Sequence, residues 1–120
     1  MTNADQLAEI RPALREVVNG SPNTCATLEI EGDSTKWLQI VDRTINAAYP
    51  YSESPEVRLN VFLTSPQSPK LINWEVGKFV TFEFPQIEVN TVSVWIDSYF
   101  VHALDCPSGD YHVDMMIEEI

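Results

Sequence analysis

Two histidines, a cysteine and two aspartates crowd the stretch from His102 to His112, with Asp105, Cys106 and Asp110 between them. Residues of these types bind zinc when three or four of them converge, and short spacings such as CxxC or HxxxH usually supply the pairs. Neither spacing occurs here, and His102 falls one residue before the apolar position Ala103 on a helical face. We therefore expect no metal. A second group, His112, Asp114 and Glu118, shares one face of a C-terminal strand and resembles an acid-base cluster. Acid-base work needs groups whose pKa is shifted by burial or a like-charged neighbour, and an outward strand face offers solvent instead.

No glycine-rich phosphate loop, nucleophile elbow or Cys-His signature appears, and four glycines leave little material for one. Ser21, Ser34, Ser65, Ser68 and Ser108 fall in loops without a partnered base. The reading is non-catalytic, with no cofactor. An enzyme on this chain would need a constellation assembled wholly in three dimensions.

Charge is more informative. The chain has 7 Lys and Arg against 18 Asp and Glu, a net charge of −11, and after Lys78 it has no basic residue other than the histidines. Such a chain repels nucleic acid, whose binding requires cations that displace counterions, and attracts a basic protein. Excess acid also keeps small proteins soluble. The residues expected to bind a partner are Asp105, Asp110, Asp114, Glu118 and Glu119, gathered near the C-terminal strand. Trp37, Tyr49 and Tyr51 join them as aromatics that a two-sided strand and a proline corner leave near a surface; such side chains dominate interface energetics.

The elements that must position these residues follow from periodicity. Leu7, Ile10, Leu14, Val17 and Val18 lie on one face of a helix from Ala4 to Asn19, with Asn3 and Gln6 in capping-box spacing and Gly20 as a left-handed terminator. Pro12 should bend it or delay its start. Thr24 to Glu31 alternates as a half-buried strand, Lys36 to Val41 is apolar on both faces like a central strand, and Thr44 to Tyr49 continues the sheet. Ser54 and Pro55 resemble a helix start; residues 57–63 fit helix or strand, and we favour helix. Leu71 to Trp74 and Phe79 to Phe84 read as two strands turned at Glu75-Val76-Gly77. The stripe Val92, Trp95, Ile96, Tyr99, Phe100, Ala103 and Leu104 defines a helix from Asn90 to Asp105, and Tyr111 to Ile117 is a last strand.

The expected fold is one α+β domain over residues 1–120. It has an antiparallel sheet of about five to six strands, with the N-terminal helix and the Asn90 to Asp105 helix packed on one face. No apolar run approaches a membrane span and the first residues lack a secretory signal pattern, which points to the cytoplasm. In that compartment Cys25 and Cys106 are expected as buried thiols rather than a disulfide.

The order helix, three strands, helix, two strands, helix resembles type III secretion chaperones and the related YbjN-like proteins. The likeness rests on Trp37-Leu38-Gln39, the Tyr49-Pro50 corner and Trp95-Ile96-Asp97-Ser98-Tyr99-Phe100, over roughly residues 4 to 105. It implies a small acidic module that binds other polypeptides, in that family as a dimer. The final strand departs from the family pattern and leaves a homodimer open. Composition and resemblance together lead to two expectations of function, and an enzyme or small-ligand domain with an unrecognised pocket stands beside them as a third. One is a cytoplasmic protein that masks or escorts a basic partner, most concretely an immunity protein neutralising a toxin. The other is a chaperone-like module holding an unfolded segment of a secreted effector.

Overall fold

The computed structural model describes residues 3–20, 23–60, 69–106 and 111–119. Helix α1 (Asn3–Asn19) precedes strands β1 (Thr24–Ile30), β2 (Asp33–Val41) and β3 (Thr44–Ala48). A single helical turn, α2 (Pro55–Arg58), leads to β4 (Lys70–Glu75) and β5 (Phe79–Glu83). Helix α3 (Val89–Ser98) continues into a π-helical turn at Tyr99–Ala103, and β6 (Val113–Glu119) completes the chain's elements. All neighbouring strands are antiparallel, in the order β4-β5-β3-β2-β1-β6.

The period of two along each strand builds the core. Leu28 pairs with Leu38, Leu38 with Ala47 and Ala47 with Val80; the adjacent row runs Ala26, Ile40, Ile45 and Phe82. All eight side chains are buried. The face they form is covered by Ile10, Ala13, Leu14 and Val17 of α1, by Val92 and Ile96 of α3 and by Tyr99 and Phe100 of the π-helical turn. This is the one-sided α+β arrangement that the apolar stripes require. No described helix is long and apolar enough to cross a membrane.

Local chemistry explains the element ends, and several differ from the sequence reading. Helix α1 does not start late: it runs from Asn3 to Asn19 with Pro12 inside it. Gly20 is not left-handed. It is needed because a Cβ there would come within 2.5 Å of both Glu16 O and Thr24 Oγ1. Among the described residues the left-handed ones are Gly32, Gly77, Asp42 and Asp105. Ser54 precedes α2 without a side-chain capping bond, and the described part of residues 57–63 is helical at its start, with residues 61–63 outside the described ranges. Helix α3 is capped by Glu88, whose carboxylate accepts from Asn90 N at 3.2 Å and Thr91 N at 2.6 Å; a hydrogen bond with the Thr91 side chain, and then these two, lower its pKa. At the other end Leu104 N bonds Tyr99 O at 3.1 Å, five residues back, and Asp105 turns the chain away at φ 58°.

Tyrosine hydroxyls tie the layers together. Tyr99 donates to Ala48 O at 2.8 Å and Tyr49 to Glu53 O at 2.7 Å, while Tyr51 donates to Ala103 O. Tyr111 was expected within the last strand but precedes it. Its buried hydroxyl donates to the buried Asp97 carboxylate at 2.6 Å, and its carbonyl accepts from Gln6 Nε2 at 2.8 Å. That pair joins α1, α3 and the approach to β6. It gives the buried carboxylate a charge-assisted partner instead of leaving it unmet.

Candidate functional site

The opposite face of the sheet is the candidate site, because among the described residues no helix packs on it. Its central row follows from register: Met116 pairs with Thr27, Thr27 with Gln39, Gln39 with Asn46, Asn46 with Thr81 and Thr81 with Asn73. Thr81 Oγ1 donates to Asn46 Oδ1 at 2.6 Å and Gln39 Nε2 to Thr27 Oγ1 at 3.4 Å. These bonds hold the two amides in place and involve four strands, β1, β2, β3 and β5. On one side of this row Trp37 of β2 and Phe79 of β5 stand half-exposed, separated by β3. They wall an open depression of about 410 Å³ lined also by Gln39, Asn46, Asn73, Lys78 and Thr81.

Charge divides this face. At the β4 and β5 end Lys78 is 3.3 Å from Glu75, and Lys70 is placed opposite Glu83. At the β1 and β6 end Asp114 lies opposite Glu29 and Glu118 opposite Cys25, so three carboxylates share one half of the face. Among the described residues none of the three forms an ion pair. Like charges across adjacent strands repel, which leaves this half in want of cations.

The residues expected to bind a partner are therefore split. Trp37, Asp114 and Glu118 come together on the open face. Glu119 lies opposite Thr24 and points to the other side of the sheet, as its odd position in the pleat dictates. Asp105 is exposed but sits at the end of the π-helical turn, where its left-handed backbone ends the helix. Asp110 lies outside the described residues. Tyr49 cannot contact a partner: it is fully buried, with its ring edge on Tyr51. Tyr51 is half-buried, bonded to Ala103 O and stacked under the Arg58 guanidinium, 3.6 Å from its centroid, which in turn pairs with Glu53. The proline corner thus belongs to the scaffold. Glu29, Phe79 and the central polar row were not singled out from the sequence, although the alternation of Thr27 and Glu29 with Ala26, Leu28 and Ile30 marks the face they share.

The groups that invited a catalytic or metal reading are dispersed. His112 Nδ1 lies 3.2 Å from Glu9 Oε2, while His102 is exposed on the π-helical turn. Among the described residues no group of three His, Cys, Asp or Glu converges on a point. Cys25 and Cys106 are buried free thiols, one opposite Glu118 on the open face and one beyond the π-helical turn. Burial raises both thiol pKa values, which holds them as weak nucleophiles.

Fold and site together define a class: an acidic α+β domain in which, among the described residues, the helices cover one sheet face and leave the other free. Comparison with family models, with curated proteins and with solved structures finds no match.

Proposed function

We propose that this protein is a non-catalytic, cytoplasmic binding domain that masks a cationic partner protein on its open sheet face, as an immunity protein neutralises a basic toxin. The observation that carries this reading is the half-exposed Trp37 beside the unpaired carboxylates Glu29, Asp114 and Glu118 on a face that no described helix covers. A desolvated aromatic slows dissociation, and a one-signed field speeds encounter. The polar row beside Trp37 and Glu29 supplies hydrogen-bonding groups already engaged with one another.

A second reading, the chaperone-like one, is favoured by the order α1, β1-β2-β3, α2, β4-β5, α3, on which the sequence resemblance rests. Copurification from the native cells, with the recovered proteins identified, tests the first. We expect a basic protein whose recovery is lost with Trp37→Ala and retained with Val94→Ala, a change at an exposed position on α3. Equal recovery by both variants sinks the open-face reading.

A further inference from the structure

The sheet has two edges, and they are not alike. Strand β4 is interrupted by a register shift between Leu71 and Asn73, a bulge of the kind that blunts an edge against pairing. Strand β6 runs in unbroken register with β1 from Val113 opposite Ile30 to Glu119 opposite Thr24. Among the described residues no strand lies beyond it. It carries Met115, Met116 and Ile117 at 45%, 57% and 38% exposure.

The backbone of β6 can be assigned group by group. His112 O accepts from Glu31 N of the β1 side at 2.9 Å, whereas Val113 N donates to Glu9 Oε1 of α1 at 3.0 Å. In an antiparallel ladder, residues that bond the neighbour alternate with residues whose N–H and C=O point away. Asp114, Met116 and Glu118 therefore bond β1, and Met115 and Ile117 present their N–H and C=O to the free edge. Glu9 closes the first outward donor, at Val113, and leaves the next ones open.

Side chains set what can pair there. A second copy is disfavoured in the antiparallel register centred on Met116, which pairs β6 over most of its length: it sets Asp114 of each copy against Glu118 of the other, and facing like charges oppose pairing. An added strand from another protein must carry cations where it faces Asp114 and Glu118. It must carry apolar side chains where it faces Met115 and Ile117, on the opposite side of the pleat.

We propose that β6 is a strand-addition edge for an extended segment of the pattern basic, apolar, any, apolar, basic. The partner's charge follows from the function proposed above; the pattern and the edge follow from β6 itself. The test uses two peptides of one composition, Ac-Thr-Lys-Val-Thr-Val-Lys-Thr-NH2 and its parity-shifted form Ac-Thr-Val-Lys-Thr-Lys-Val-Thr-NH2. They are titrated into the 15N-labelled protein and followed by amide NMR.

The first peptide is expected to bind at least tenfold more tightly than the second and to shift the amides of Met115 and Ile117. Met115→Pro, which removes an outward N–H at an edge position where proline is tolerated, should abolish the difference. Asp114→Lys with Glu118→Lys should transfer the preference to the peptide with glutamates in place of the lysines. Equal affinities, no binding of either peptide, or a dimer of the free protein that Met115→Pro dissolves would each overturn the proposal. If the peptides fail while Trp37-dependent recovery of a basic protein persists, the edge proposal alone falls. If that recovery is also absent, the function proposed above falls with it.

Discussion

Trp95→Ala is expected to cost about 3 kcal/mol of stability, at the lower end of the range for large-to-small changes of a packed aromatic. Trp95 is only half-buried, but it joins the helix layer to the sheet. Its ring lies edge-on to Phe82 at 4.9 Å and Phe84 at 5.2 Å, and stacks on Tyr99 at 5.6 Å. Truncation removes those contacts and opens space beside Phe82, which is fully buried. A midpoint lower by roughly 10 °C follows for a domain of this size. Val94→Ala, next to it but 54% exposed, should leave the midpoint within about 2 °C, since isolated surface changes stay near 0.5 kcal/mol. Thermal unfolding of the two variants side by side checks this, and equal midpoints would remove α3 from its place over the sheet.

Alkali is the second strong expectation. Burial raises the phenol pKa values of Tyr49, Tyr99 and Tyr111, and for Tyr111 the neighbouring Asp97 raises it further. A group with a raised folded pKa contributes its full stability below its unfolded pKa, about 10 for tyrosine, and loses it as pH rises beyond that value. Each phenol that keeps its proton then costs the folded state about 1.4 kcal/mol per pH unit. Stability should therefore fall steeply above pH ~10, with phenolate absorbance from these tyrosines appearing together with loss of the far-ultraviolet circular dichroism. Ionisation of all the tyrosines near pH 10 with the fold intact would show that Tyr49, Tyr99 and Tyr111 are not held as described.

The first expectation rests on an element whose periodicity was readable in the chain, and of the three tyrosines in the second only Tyr99 lies on that element's stripe. The α3 stripe follows a helical repeat whose apolar members reach the core, except that Trp95 keeps one side in solvent. The two faces of β1 and β2 could also be assigned by alternation, which is how Trp37 was separated from Leu38 and Ile40.

What escaped the sequence is what depends on distant partners. Tyr49 beside a proline reads as a surface residue until Glu53 O and the ring of Tyr51 close around it. Glu9 and Val113 are far apart in sequence, and only the folded sheet shows that one occupies the other's N–H. The acidic residues that are described, Asp110 lying outside them, are separated for a simpler reason. Alternation sends Glu118 and Glu119 to opposite faces, and Asp105 is committed to ending a helix, so nearness in sequence did not become nearness in space. Glu29 joins Asp114 and Glu118 on the open face because β6 is paired with β1.

The central claim is that this mixed aromatic and acidic face recruits a cationic protein. It is tested most directly by stopped-flow association of the recovered basic partner with wild-type protein and with the Glu29→Gln, Asp114→Asn, Glu118→Gln triple variant, at low and high salt. We predict association slower by about tenfold at low salt for the variant, a flattened salt dependence, and an unchanged thermal midpoint. Association rates equal to wild type at both salts would contradict the account and leave the acidity of this face with a role in solubility alone.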